Sequence, residues 1–124
     1  MTRRSAFALK RVYDAPSAED GCRVLVDRLW PRGISKDKAK IDLWLKAIAP
    51  SDALRKKVHG DPAAWPQFLK AYAAELAKPP ASDAVRELQA LAAKGRVTLL
   101  FASKNAERNN ALALKMWLDG GDRR

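Results

Sequence analysis

The stretch of this sequence that decides its fold is RVTLLFA, residues 96–102. After Arg96 it contains no charged residue, and most of its side chains are apolar. A strand with apolar residues on both faces is typical of a parallel sheet that is covered on both sides, because an exposed face would favour alternation with polar residues. We therefore predict a covered strand here and an α/β fold around it.

Two further strands are predicted towards the N-terminus. FALKRVY, residues 7–13, and RVLVDRLW, residues 23–30, are short and rich in β-forming side chains. Pro31 and Gly33 then end the second strand, since proline cannot donate a hydrogen bond to a neighbouring strand. The connection between these two strands is short for a helical crossover, so the orientation of the first strand stays open.

Amphipathic helices are predicted between and after the strands, because apolar residues recur there at helical spacing. Ser35 is expected to cap a helix that runs to about Ile48, and Ser51 a short second helix. A third helix is expected after the cap pair Asp61 and Pro62, with its regular part beginning at Trp65 because Pro66 is awkward further inside a helix, and it is expected to end at Lys78, Pro79 and Pro80. A fourth helix is predicted to begin after the cap Ser82. A fifth and last helix is predicted to carry Leu114, Trp117 and Leu118 on one side.

These elements predict one α/β domain over residues 1–124, with an ordered core at about 7–118 and a basic tail at 119–124. We expect a small, mostly parallel sheet of three or four strands, covered by helices in a Rossmann-like three-layer arrangement. The core is predicted to include six large side chains, namely Leu25, Trp44, Phe68, Leu88, Leu99 and Leu100.

Net charge is the strongest signal in the composition. The chain has 24 basic and 14 acidic residues, a net charge of +10, and 14 of the basic residues fall within residues 1–60. Such an excess favours anionic partners or an ordinary basic surface, and it does not distinguish between them. No apolar run approaches the roughly 20 residues of a membrane span, so we expect no membrane partner and a cytoplasmic location.

Neither a metal site nor a cofactor is predicted. The single cysteine, Cys22, can form no disulfide within the chain and belongs to no CxxC motif. The single histidine, His59, excludes a histidine-rich metal site, and its place in a turn favours a surface role over catalysis. Glycine-rich phosphate loops of the GxGxxG and Walker types are missing from the sequence as well.

Polar and charged residues follow the predicted strands, at the edge where ligands bind in open α/β sheets. Asp27, Arg28, Trp30 and Arg32 come at or after the end of the second strand, and Lys104, Asn105 and Asn109 after the third. If the strands are parallel, these residues meet beside the positive end of the last helix, which favours anions.

The residues in this group suggest different roles. Arg32 and Lys104 would supply charge, as would Arg28, while Asn105 or Asn109 would donate directed hydrogen bonds and Trp30 would stack on a ligand. Asp27 would position an arginine or act as an acid or base. Structural explanations stay open as well: Asp27 could pair with Arg28 or Arg32 to hold a loop, Asn105 could be only an N-cap, and structural ion pairs imitate functional sites.

Two classes of function stay open. The first is a site for a small phosphate or carboxylate ligand at the strand ends, which could be enzymatic. The second is a weak nucleic-acid-binding module without sequence preference, because positive charge is abundant but no base-reading element is evident. The sequence predicts neither the ligand nor the oligomeric state.

Several blocks carry a family resemblance, among them KRVYD (10–14), RVLVDRLWPRG (23–33), DLWLKAIAPS (42–51) and VTLLFASKN (97–105). They resemble the YeaO-like branch of bacterial domain-of-unknown-function family 488 over about Lys10 to Leu118, and RLWPRG is the most specific of them. The resemblance implies a small cytoplasmic α/β protein and no assigned reaction. Members usually have tyrosine where this chain has Phe101, so a tyrosine hydroxyl is not essential there.

Overall fold

The strands and helices follow one another in an α/β order. In the computed structural model, which describes residues 7–58, 62–104 and 109–121, the strands are β1 (Phe7–Arg11), β2 (Cys22–Leu25), β3 (Leu43–Trp44) and β4 (Val97–Phe101). The α-helices are α1 (Lys36–Ala39), α2 (Asp52–Val58), α3 (Trp65–Leu76), α4 (Ala81–Lys94) and α5 (Asn110–Gly121). Short 3-10 turns lie at Ala18–Asp20, Lys46–Ile48 and Pro62–Ala64.

All four strands are parallel, and they lie in the order β1, β4, β2, β3. The central strand β4 pairs with β1 from Phe7 opposite Val97, and with β2 from Cys22 opposite the same residue. All five residues of β4 are buried. The prediction of a covered, parallel α/β fold is therefore confirmed, and the orientation of the first strand is settled as parallel.

Helices α2 to α5 and the sheet enclose the larger part of the core. Alternate strand residues point to this first face, among them Val24, Val97 and Leu99, and they pack against Phe68 and Leu88 of the helices. On the second face, Leu25 and Leu100 lie against Ala39 of α1 and the loops around it. Of the six predicted core residues, five are buried and Trp44 is partly buried.

The predicted helix from Ser35 to Ile48 is wrong beyond its first turn. Ser35 does cap α1, since its hydroxyl accepts a hydrogen bond from the Lys38 N–H, but α1 ends at Ala39. Lys40 then adopts a left-handed backbone (φ 52°), and the chain pairs with β2 as β3. The apolar residues that suggested one helical stripe divide between the two faces of the sheet, with Trp44 on the second and Ile48 on the first.

The other helices lie close to their predicted positions. Ser51 caps α2 by accepting a hydrogen bond from the Leu54 N–H, and α3 begins at Trp65 as expected. The predicted cap of α4 at Ser82 is two residues late, since Pro80 occupies the N-cap position and Ala81 is the first helical residue. None of the helices in the described ranges is long and apolar enough to cross a membrane.

A buried ion cluster lies at the N-terminal end of the second face. The Asp20 carboxylate accepts hydrogen bonds from Lys10 Nζ at 3.1 Å and Arg23 Nη1 at 2.6 Å, and Arg23 also donates to the Ala39 carbonyl. Burial alone would raise the pKa of Asp20, but hydrogen bonds from the Ser17 N–H and the two cations outweigh it and lower that pKa. Both buried charges are thus paired, as burial requires.

Candidate functional site

The carboxyl ends of the four parallel strands bring the predicted site residues to one edge of the sheet. β1 ends at Arg11, β2 at Leu25, β3 at Trp44 and β4 at Phe101, and these ends are adjacent in the sheet. Open α/β sheets bind ligands beyond this edge, because the loops there are free to vary while the strands hold them in place.

Asp27 ties three elements together at this edge. Its Oδ2 accepts a hydrogen bond from the Ala102 N–H at 2.9 Å, just beyond β4. Its Oδ1 accepts one from the Asn110 side-chain amide at 3.0 Å, and the same amide donates to the Val26 carbonyl. The Asp27 carbonyl accepts from the Trp44 indole N–H at 2.7 Å. The side chain therefore joins the end of β2 to the end of β4 and the start of α5.

Arg28 and Trp30 have defined partners in the loop after β2. The Arg28 Nε lies 3.4 Å from Asp52 Oδ1, and both side chains are largely exposed. The Trp30 indole N–H donates to the Ile34 carbonyl at 2.8 Å, while its ring packs edge-on against Trp44 at a centroid distance of 5.4 Å. Trp30 therefore holds the loop in shape, and Arg28 is partly neutralised.

Arg32 and Lys104 are exposed, and their charged ends contact no hydrogen-bond or ion-pair partner within the described part of the chain. The Arg32 carbonyl accepts a hydrogen bond from the Tyr13 hydroxyl at 2.7 Å. Lys104 lies three residues beyond the end of β4. These two cations are the members of the predicted set whose charge is most available to a ligand.

The two asparagines of the predicted set differ in what the structure describes. Asn109 is the N-cap of α5, because its Oδ1 accepts a hydrogen bond from the Leu112 N–H at 2.8 Å and its carbonyl accepts from Ala113. It is 5% exposed. Asn105 lies outside the described residues, as does His59.

Sequence reasoning missed two residues that matter at this edge. Arg11, the last residue of β1, donates from Nε to the Ser103 carbonyl and from Nη2 to the Ala102 carbonyl, both at 3.0 Å. Its guanidinium also lies 5.0 Å from the centre of the Tyr13 ring. Asn110 is the second, and only its contact with Asp27 reveals its role, because the two residues are 83 positions apart in sequence.

A cavity of about 290 Å³ lies between α2 and α3, and its apolar lining contains none of the predicted ligand-binding residues. In residues 7–58, 62–104 and 109–121 no three His, Cys, Asp or Glu side chains are grouped so as to hold a metal ion.

Comparisons with known proteins find relatives that are similar in sequence. The chain is 46% identical to the uncharacterized protein YeaO of Escherichia coli over 109 residues, 88% of this chain and 93% of YeaO. It is 38% identical to the uncharacterized proteins Mb3100c of Mycobacterium bovis and Rv3073c of Mycobacterium tuberculosis, over 97% of this chain and 99% of theirs. No solved structure matches.

The resemblance read from the RLWPRG block is thus confirmed by relatives that align over most of their length. A family model described as the inactive DUF488-N3 subclade matches residues 6–121, which include every strand and helix of the structure. The protein therefore belongs to the inactive DUF488-N3 subclade of family 488.

Proposed function

We propose that the protein binds a small phosphate or carboxylate ligand at the carboxyl edge of its sheet, through Arg32 and Lys104. One chain of contacts carries the proposal. Arg32 is joined through its carbonyl to Tyr13, whose ring lies against the Arg11 guanidinium, and Arg11 in turn binds the Ser103 carbonyl beside Lys104. The segments that carry Arg32 and Lys104 are thereby both joined to the end of β1.

The side chains suit an anion with several oxygens. Arginine offers a planar fork that matches phosphate or carboxylate, whereas lysine acts as a point charge. Arg28 would add a weaker contribution, since Asp52 already balances it. The start of α5 would contribute partial positive charge, while the Asn109 side chain caps that helix by accepting a hydrogen bond from the Leu112 N–H. Trp30 would border this site, and Asn105, which follows Lys104 in the sequence, stays a candidate hydrogen-bond donor on the sequence alone.

Binding without chemistry is the form of the proposal that the observations favour. Both carboxylate oxygens of Asp27 accept hydrogen bonds that hold the fold together, which leaves this residue poorly suited to act as an acid or base. The family description as inactive agrees with a site that binds a ligand without transforming it.

The test is a thermal-shift and calorimetric titration with inorganic phosphate, adenosine monophosphate, glucose 6-phosphate and citrate. These probes sample anionic groups available in the cytoplasm, the compartment that the composition favours. A ligand at about 100 times its Kd should stabilise the wild type by about 2.7 kcal/mol. Lys104→Ala and Arg32→Ala should each abolish the shift while leaving the melting temperature of the ligand-free protein nearly unchanged.

Lys94→Ala serves as the matched control, because Lys94 is also exposed but lies at the end of α4. It should bind the same probe as the wild type does. A wild type that responds to no probe would refute the proposal, and so would a loss of ligand-free stability in Lys104→Ala. Equal loss of binding in all three variants would instead indicate attraction by net charge alone, as the nucleic-acid alternative expects.

A further inference from the structure

The segment 28–46, which covers the second face of the sheet, carries a dense positive charge. It contains six basic and two acidic residues, a net charge of +4 in 19 residues. Residues 47–121 contain eleven basic and seven acidic residues, the same net charge in 75 residues. All six basic side chains of the segment are exposed, namely Arg28, Arg32, Lys36, Lys38, Lys40 and Lys46.

Contacts within the segment make it one continuous layer. Trp30 bonds to the carbonyl of Ile34, next to the cap of α1, and its ring contacts Trp44 of β3. The Lys46 Nζ lies 4.5 Å from the centre of the Trp44 ring on the outside of this pair. The inner side of the layer is apolar, because Ala39 packs on the sheet with Ile34 and Trp44 beside it. The exposed lysines and Arg32 therefore belong to the outer side, whereas Arg28 pairs with Asp52 of α2.

We propose that this outer surface, the exposed side of residues 28–46, docks the phosphate backbone of a nucleic acid without sequence preference. Repeated phosphates match closely spaced lysines and arginines, and releasing their counterions drives the association. A base-reading helix is missing from the segment, since α1 spans only four residues, so the surface can position a strand but cannot specify its sequence. Partly buried Trp30 adds an aromatic edge beside the cations.

An anionic membrane fits this surface less well. Binding to a lipid interface needs an apolar face that enters the headgroup region, together with the basic residues. In residues 28–46 only Leu29 is a largely exposed aliphatic side chain, at 64%. The surface shares Arg28, Trp30 and Arg32 with the proposed small-ligand site, but its test is separate from that site, because the three substituted lysines lie on α1 and after β3.

Fluorescence anisotropy with a labelled 20-nucleotide single-stranded DNA of mixed sequence, titrated at several salt concentrations, tests the proposal. The variant Lys36→Gln, Lys38→Gln, Lys46→Gln removes three charges from the surface. If each had neutralised one phosphate, the slope of log affinity against log salt should become shallower by about 2, with about a hundredfold loss of affinity at 0.1 M salt.

The matched control, Lys70→Gln, Lys78→Gln, Lys94→Gln, removes the same charge from exposed positions on α3, α4 and the turn between them. It should change the affinity by less than threefold. Circular dichroism melting verifies that each variant is folded. Equal weakening in both triple variants would overturn the proposal, as would no binding by the wild type at low salt. Binding to phosphatidylserine vesicles but not to DNA would also overturn it.

Discussion

Replacing Asp27 with asparagine tests whether this side chain ties the sheet edge together. Asparagine keeps one acceptor oxygen, so one of the two donors, the Ala102 N–H or the Asn110 amide, would face an NH₂ group. Rotation of Asn110 offers no escape, because its amide also donates to Val26. A hydrogen bond to a charged acceptor contributes about 1.5–3 kcal/mol, and an unsatisfied partly buried donor costs a similar amount. We expect Asp27→Asn to lose about 2–3 kcal/mol of unfolding free energy.

Urea unfolding, followed by circular dichroism and tryptophan fluorescence, measures this loss. The midpoint should fall by about 1 M with an unchanged slope, since the surface exposed on unfolding stays the same. The melting temperature should fall by about 6–12 °C. In a double-mutant cycle with Asn110→Ala, the two residues should show a coupling free energy of about 1 kcal/mol or more, because they are in direct contact.

Asp14→Asn is the matched control. Asp14 is exposed just beyond β1, so its substitution removes the same charge and should change the stability by less than about 0.5 kcal/mol. If Asp27→Asn is as stable as Asp14→Asn, the carboxylate does not hold the edge together. The role as an acid or base that the sequence suggested for Asp27 would then be favoured over a structural role.

Three further predictions concern the fold. Because the pKa of Asp20 is lowered in the folded protein, its contribution to stability is complete above pH about 4 and is lost as the pH falls further. Urea midpoints from pH 7 to pH 3 should therefore fall more steeply in the wild type than in Asp20→Asn. Gly21→Ala should destabilise the folded protein by at least about 2 kcal/mol more than Gly33→Ala does. Both glycines have positive φ, but only at Gly21 would a Cβ lie 2.3 Å from the Arg96 carbonyl oxygen. Equal melting temperatures of the two variants would contradict this. Tyr72→Phe should cost about 1–2 kcal/mol in urea unfolding, because its buried hydroxyl donates to a backbone carbonyl, and a neutral result would show that bond to be dispensable.

The central strand and most helices were predictable because their signals are local. The run VTLLF is apolar throughout, and it is buried on both faces as that pattern predicts. At residues 41–48 the local signal was misleading. Ile41, Trp44, Leu45 and Ile48 fit a helical stripe, but the same spacing arises when a short strand and a 3-10 turn send them to opposite faces. Pairing with β2 decides between these, and no local pattern reports that pairing.

The candidate site was predictable in place but not in its contacts. Asp27 and Lys104 lie at the strand ends, where the parallel-sheet rule puts them. The partners of Asp27 come from 75 and 83 residues away, which only the folded chain brings together. Among the residues that the structure describes, the buried charged side chains are Asp20 and Arg23, whereas Arg28 and Arg32 are exposed. Sequence alone could not identify which charges are buried, because a charged residue near a strand gives no indication of whether other elements cover its side chain.

The strand order has a consequence for how the chain folds. β4 lies between β1 and β2, yet it is the last strand made, and Phe7 must find Val97 across 90 positions. Such distant pairing raises the contact order, which slows folding because a long loop must close before any contact offsets the lost entropy. During synthesis β2 can pair with β3, but β1 waits without its sheet partner until nearly the whole chain has been made. Assembly of the sheet, and of any site at its edge, is therefore a late event in the folding of this protein.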